Sequence, residues 1–336
     1  MMKRRLIYLV VVLVMTCLLP LVGIGYWGSG RLLFPERRVL QDYHLKILED
    51  PQRFGISVLE YEGPQKTPCL MVEPFAEPGE AKKGRVARDL LAGKGQTLRP
   101  WGEVRGTLIL LHGRSGRKED HLPIAERFCA AGFRCMIPDL PGHGDNHAKL
   151  ATFGKNECEL VEELADDLRV RLGKDPGPMG LFGVSQGGAI ALQTAARPGG
   201  RWFAVVSVST FSSLDQPIAK SVQRFYEPLA SISAGVCGLG VRCRGGFFPG
   251  DISPLRAAAH LTIPVYIVHG GMDEFIPCIQ GKQIYDAIPG NRKSFQLIPD
   301  GTHNNVLAKG GHAMYADLCL FYLQALESNP SDSAGL

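Results

Sequence analysis

From Gly106 to Leu326 the chain alternates short, continuous apolar runs with longer stretches in which apolar residues recur every three or four positions. Residues 107–111, 134–138, 180–184, 204–208, 265–269 and 294–298 have the length and composition of buried strands. Residues 121–131, 159–172, 186–197 and 313–326 have helical periodicity, clearest at Leu160, Leu164 and Leu168. Strands interleaved with helices predict an α/β fold, a mainly parallel sheet with helices on both faces. Upstream, residues 55–61 and 68–73 alternate apolar and polar positions and predict an antiparallel strand pair. Two stretches interrupt the pattern. Residues 79–103 carry glycines and six basic side chains and predict an exposed, basic insertion. Residues 211–250, with aromatics at Phe225, Tyr226, Phe247 and Phe248, are longer than one crossover requires and read as a lid over a pocket; an ordinary crossover with packing aromatics is the plainer alternative.

The amino terminus has a different pattern. Lys3, Arg4 and Arg5 precede an uncharged run over residues 6–30, whose most apolar part, 6–26, would be about 30 Å long as a helix, enough to cross a bilayer. A cleaved secretory signal is the alternative, but the apolar run is long for one and lacks an evident AxA-like site. An uncleaved anchor would leave the basic end in the cytoplasm and the rest of a single-pass protein outside, with Arg31, Arg37 and Arg38 opposing that bias. The chain then divides into a membrane anchor or signal segment (1–30), a juxtamembrane connector with a short helix (31–54), one α/β domain (55–327) and a Ser/Pro/Asp tail of disordered composition (328–336).

Charge and cysteine content narrow the function. The formal charge of +4 arises from +5 over residues 1–38 and +3 over residues 79–103, leaving −4 on the remainder, so nucleic-acid binding has little support. Nine cysteines form no CxxC pair and no Cys/His cluster at zinc-ligand spacing, so neither a metal nor a cofactor is implied. Cys237 and Cys243 flank a glycine-rich stretch and read either as a disulfide or as two free thiols.

Candidate chemistry lies at the carboxyl ends of the predicted strands. Gly183-Val184-Ser185-Gln186-Gly187 is a GxSxG sequence entered by an apolar strand and left by a small-residue helix, a turn that would present Ser185 as a nucleophile. A serine hydroxyl needs a base, and His303 sits in a polar loop just after the last strand. Asp273, after the preceding strand, is the carboxylate to orient that base, with Glu274 as the alternative. An oxyanion would be met by the backbone N–H of Gln186 and, after His112-Gly113, by that of Arg114. The Arg114 guanidinium reads either as a contact for an anionic substrate group or as an exposed, solvated side chain. His143 and His147 read as shaping the entrance, His312 as a surface or helix-start residue, and His44, His121 and His260 have no catalytic context.

The sequences LHGRSG, PDLPGHG, GVSQGG, VHGGMDEFIP and PDGTHNN, in this order over roughly residues 106–326, resemble the α/β-hydrolase superfamily. The last two, with the amino-terminal apolar segment, are similar to its Bem46-like branch, often labelled serine aminopeptidase-like. The resemblance implies an α/β-hydrolase fold and a cofactor-free serine hydrolase acting on acyl esters or thioesters, lipids among them, through an acyl-enzyme. A hydrolase-fold acyltransferase, a peptidase or a noncatalytic membrane scaffold are the other readings; no site for a peptide amino terminus is evident in the sequence.

Overall fold

A computed structural model describes residues 2–173, 175–223 and 230–328, with the side chains of residues 2, 3, 6, 10, 11, 13, 14, 17, 18, 222, 223 and 230 outside that description. Eight strands form one sheet: β1 (Ile56–Gly63), β2 (Thr67–Pro74), β3 (Gly106–Leu111), β4 (Phe133–Pro138), β5 (Met179–Val184), β6 (Trp202–Val208), β7 (Val265–Gly270) and β8 (Lys293–Ile298). Their order is β1-β2-β4-β3-β5-β6-β7-β8. β1 runs antiparallel to β2 and β2 to β4, and all other neighbours are parallel.

β3 is buried along its whole length and divides the core by alternation. Leu108 and Leu110 face one layer, with Phe128 of α4 (Leu122–Ala130) and Tyr322 of α11 (Val306–Glu327). Ile109 and Leu111 face the other, with Leu160 and Leu164 of α5 (Glu157–Leu172) and Ile190 of α6 (Gln186–Ala195). The chain passes from β3 outward to β4 and then back across β3 to β5, so the strand order reverses there. Such a reversal leaves a crevice beyond the carboxyl ends of β3 and β5.

The remaining helices are α1 (Met2–Leu33), α2 (Asp42–Glu49), α3 (Lys82–Gly93), α7 (Asp215–Gln223), α8 (Ala230–Gly245), α9 (Pro254–Ala258) and α10 (Cys278–Ala287). Helix α3 corrects the expectation of an exposed insertion at 79–103. It is amphipathic, burying Gly84, Ala87 and Leu91 against α4 and α11 while its basic residues stay largely outside. Its cationic face had hidden the apolar stripe.

Helix α1 continues to Leu33, and its carboxyl-terminal half packs along α8. The backbones approach closely: a Cβ on Gly240 would lie 2.5 Å from the Gly25 carbonyl oxygen, and one on Gly25 would lie 2.8 Å from Val236 Cγ1. Arg244 of α8 closes the seam by donating to Tyr26 O at 2.7 Å. Together α1, α7 and α8 build a third apolar cluster, in which Leu33, Ile218, Cys237 and Val241 meet Ala189 of α6. Cys237 and Cys243 are both free and lie six positions apart on one helix, the first buried and the second exposed, so they point to different faces and cannot bridge. Phe225, Tyr226 and Leu229 lie outside the described residues, as do residues 329–336. Among the described residues no helix is long and apolar enough to cross a membrane, the central apolar run of α1 being described only in part.

Two buried polar groups fix the loops bordering the crevice. Asp139, fully buried, accepts from the backbone N–H of Lys118 at 2.7 Å and of Asp145 at 2.8 Å, tying the loop after β3 to the loop after β4. Lys118, also fully buried, adds its ammonium to Glu119 at 2.8 Å and Asp145 at 3.0 Å. Burial opposes that charge, and the Asp139 and Glu119 carboxylates overcome it, so the ammonium stays protonated. The second group comprises His112, His121 and His143. His143 lies beneath the loop rather than at an entrance, with its ring edge-on to His112 at 5.1 Å. Burial first, then the nearby His112, pushes His121 and His143 down to about 3.

Two outcomes follow from this packing. Leu91→Ala is expected to lower unfolding free energy by about 2–5 kcal/mol, and the exposed Asp89→Ala by less than about 0.5 kcal/mol, both read from urea denaturation. The histidines give a pH dependence whose sign is fixed. The unfolded chain protonates them near their ordinary value of about 6.5 while the folded chain resists to about 3, so stability is complete above the former and falls as pH drops toward the latter. Each contributes a slope of up to about 1.4 kcal/mol per pH unit. Urea midpoints between pH 6.5 and 4.5 should fall in the wild type and fall less steeply in His121→Gln.

Candidate active site

The turn between β5 and α6 holds Ser185 at φ 53° and ψ −112°, a conformation that L-residues rarely adopt. The neighbouring glycines make it possible. A Cβ on Gly183 would sit 2.2 Å from the Gly187 carbonyl oxygen, and one on Gly187 would sit 2.0 Å from that of Leu111 at the end of β3. Backbone bonds then lock the turn, with Ser185 N donating to Val208 O at 2.7 Å and Ala189 N to Ser185 O at 3.0 Å. Ser185 is 8% exposed, at the start of α6, where helix N–H groups face the crevice.

Three side chains from three loops converge here. His303 Nε2 lies 3.0 Å from Ser185 Oγ, and His303 Nδ1 lies 2.8 Å from Asp273 Oδ2. The other oxygen of Asp273 accepts the backbone N–H groups of Phe275 at 3.0 Å and Ile276 at 2.7 Å, which fixes a fully buried carboxylate with one oxygen toward the imidazole. Of the two adjacent acids, Asp273 is the one at His303. Phe275 packs edge-on against His303 at 5.2 Å. His269, for which the sequence suggested no role, stands 3.6 Å from Asp273 Oδ2 and hydrogen-bonds Ile276 O at 2.8 Å, bracing the turn that carries the acid. Burial lowers its pKa, favouring the neutral ring.

Gly113 brings the loop after β3 beside the serine, and a Cβ there would be 3.6 Å from Ser185 Cβ. His112 sets the loop's course. Its Nδ1 is 2.9 Å from Gly113 O and its Nε2 accepts from Leu140 N at 3.0 Å, so the ring spans the loops after β3 and β4 as a single tautomer. Arg114 differs from both readings of its side chain. Its guanidinium reaches the carboxyl end of α1, donating to Leu32 O at 2.7 Å and to Arg31 O. Burial, then the Arg31 cation, pulls its pKa down to about 10. His147 and His312 are exposed and His44 pairs with Asp120 at 3.0 Å, all apart from the serine.

Ser185 and His303 border a cavity of about 1380 Å³. Its walls are mixed: Trp27 and Leu32 of α1, Phe211, Leu214, Ile218 of α7 and Cys237 of α8 make an apolar side, while Arg31, Glu36, Arg38 and Asp120 bring charge to another part of the lining. That α1 reaches this cavity is not legible in the sequence, because the contact joins residues about 160 positions apart in the chain. Among the described residues no group of three or more acidic, His or Cys side chains is arranged to hold a metal ion.

Residues 102–236 match the family model described as "Serine aminopeptidase, S33". Over 295 residues the chain is 23% identical to the uncharacterized protein YqkD of Bacillus subtilis, covering 87% of this chain and 89% of that one. It is 26% identical over 235 residues to a monoacylglycerol lipase of Mycolicibacterium smegmatis, covering 61% of this chain and 83% of the lipase. Among solved structures, an esterase of Pyrococcus furiosus superposes with a TM-score of 0.60 at 15% identity, over 87% of this chain and 98% of the esterase. An acylaminoacyl peptidase of Pyrococcus horikoshii superposes with a TM-score of 0.58 at 16% identity, over 88% of this chain and 45% of the peptidase. With its mostly parallel eight-stranded sheet, helices on both faces and serine-bearing turn at the end of β5, the chain has the α/β-hydrolase fold and is similar in sequence to hydrolases of that fold, a lipase among them.

Proposed function

We propose that the protein is a serine hydrolase that cleaves carboxylic ester or thioester bonds of hydrophobic acyl substrates through an acyl-enzyme. The observation that carries this reading is the unbroken chain of contacts from Ser185 Oγ through His303 to Asp273, at 3.0 and 2.8 Å. His303 Nε2 takes the serine proton as Oγ attacks the acyl carbonyl, and Asp273 holds the Nδ1–H and stabilises the imidazolium. The N–H groups of Gln186 and Arg114 receive the oxyanion. His303 then protonates the leaving alcohol or thiol and activates the water that releases the acid, so no cofactor is needed. Apolar walls at Phe211, Leu214, Ile218 and Trp27 support an acyl chain, and α7 and α8 would act as the lid.

Amide hydrolysis is the second reading, favoured by the match to the serine aminopeptidase model, since the same three side chains perform either acyl transfer. The site has a membrane context in this proposal. Helix α1, about 48 Å long, exposes Ile7, Leu9, Val12, Leu19 and Val22, which supports a bilayer anchor with Lys3, Arg4 and Arg5 on the cytoplasmic side and the hydrolase domain opposite.

Purified full-length protein in detergent should be labelled by a fluorophosphonate probe and release p-nitrophenol from acyl esters faster than from aminoacyl p-nitroanilides; the reverse ranking would favour the peptidase. Ser185→Ala should lose both labelling and turnover, and an unlabelled but folded wild type would sink the mechanism. Asp273→Asn should lower kcat by about 10⁴-fold. Alkaline-carbonate extraction should leave the chain in the membrane pellet, and release into the supernatant would remove the anchor.

A further inference from the structure

Helix α1 ends by giving its last carbonyl groups to the loops that border the crevice. The final turn of any helix leaves four carbonyls without intrahelical partners, and those buried against protein need donors. Here Gly30 O accepts from Phe34 N at 2.9 Å, and Leu33 O accepts from Ala151 N at 2.9 Å. The two carbonyls between them, Arg31 O and Leu32 O, are both taken by the Arg114 guanidinium. A planar fork with parallel donors suits two successive carbonyls, and its charge suits the negative end of the helix dipole. The guanidinium is held there although burial and the adjacent Arg31 both lower its pKa.

Arg114 occupies two places at once. Its backbone lies in the turn Gly113–Gly116, closed by Gly116 N to Gly113 O at 3.0 Å, one residue from the glycine that packs on the nucleophile. Ser115 in the same turn has a φ of 56°, so this loop does not rest in a relaxed conformation of its own. Its side chain meanwhile grips a helix whose other contacts, Leu33 and the Gly25–Gly28 seam with α8, belong to the cap. No equivalent contact was expected from the sequence.

We infer that Arg114 is a positioning residue that couples the amino-terminal helix to the oxyanion loop, so that the docked end of α1 is a working part of the active site. The inference rests on Ser185 being the nucleophile. Loss of the clamp leaves the Arg114 backbone N–H in the chain but frees it to swing away from the developing oxyanion. The effect therefore falls on the transition state more than on substrate binding.

The test uses full-length protein in nanodiscs, with active sites counted by fluorophosphonate titration and steady-state kinetics on one p-nitrophenyl ester. Arg114→Ala should lower kcat by about 10- to 100-fold with KM changed by less than about threefold, approaching the loss of one oxyanion donor. Arg114→Lys, whose ammonium is not a planar fork, should fall between. Guanidinium added at a non-denaturing concentration should restore part of the Arg114→Ala rate, which repair of a merely structural defect would not do. Gly28→Leu should lower kcat in the same way from the other side, because its Cβ alone would come within 3.0 Å of Cys237 Sγ and push α1 from its seat. A kcat for Arg114→Ala within about twofold of wild type, or a loss confined to KM and unmoved by guanidinium, would overturn the clamp. If Arg114→Ala does not fold, Arg114→Lys and Gly28→Leu decide on the same criterion. A wild type that resists the probe overturns the serine-hydrolase reading itself, whereas a labelled wild type with an indifferent Arg114→Ala overturns only the clamp.

Discussion

A serine backbone at φ 53° and ψ −112° is unfavourable by itself, on the order of 1–3 kcal/mol, and persists only where the surroundings leave it no other conformation. Much of this molecule serves that constraint. β5 must end and α6 must begin within one residue, so Gly183 and Gly187 are forced by backbone oxygens about 2 Å from where a Cβ would stand. The serine N–H is held by β6 and the preceding strand lies in the middle of the sheet. A serine raised on a rigid strand end presents its hydroxyl to the crevice without waiting for a loop to order, which would lower the entropic cost of reaching a reactive geometry in the proposed mechanism.

The partners of the serine are on loops, and buried polar contacts fix the course of these loops alongside apolar packing such as that of Ile276. Asp273 is aimed by two backbone N–H groups and by His269 standing behind it. The loop after β3 is held by His112, Asp139 and Lys118, all nearly or fully inaccessible to solvent. Directional bonds suit this task because a loop has no repeating surface to pack, and in a dry environment each unmade bond is costly. The same choice makes these loops sensitive to protonation, since histidines buried as neutral rings oppose acquiring charge.

Above this frame the helical cap joins parts of the chain that look independent. Helix α1 seals one wall of the cavity with Trp27 and Leu32, rests on α8 through glycines, and is capped by Arg114 from the loop beside Ser185. A segment whose apolar run reads as a device for holding the protein at a membrane thus also shapes the cavity at its other end. Removing residues 1–30 would uncover the glycine and cysteine face of α8 and open the cavity wall.

The α/β alternation and the eight strands, to within about two residues at each end, are legible in the linear pattern, because buried parallel strands demand continuous apolar runs and helices on their faces demand a 3.6-residue period. So is the meeting of Ser185, His303 and Asp273, since each follows a strand at the same edge and a sharp glycine-flanked turn is a local requirement. The rest depends on contacts between distant segments. Whether the basic stretch around α3 packs or dangles depends on what lies opposite Leu91, and the histidines of the PDLPGHG loop and its neighbour are buried because of loops that meet across the crevice. The grip of Arg114 on α1 is likewise invisible in a linear reading. Local pattern encodes period and turn chemistry, but a hydrogen bond between residues eighty positions apart depends on where the fold happens to place two carbonyls and a guanidinium.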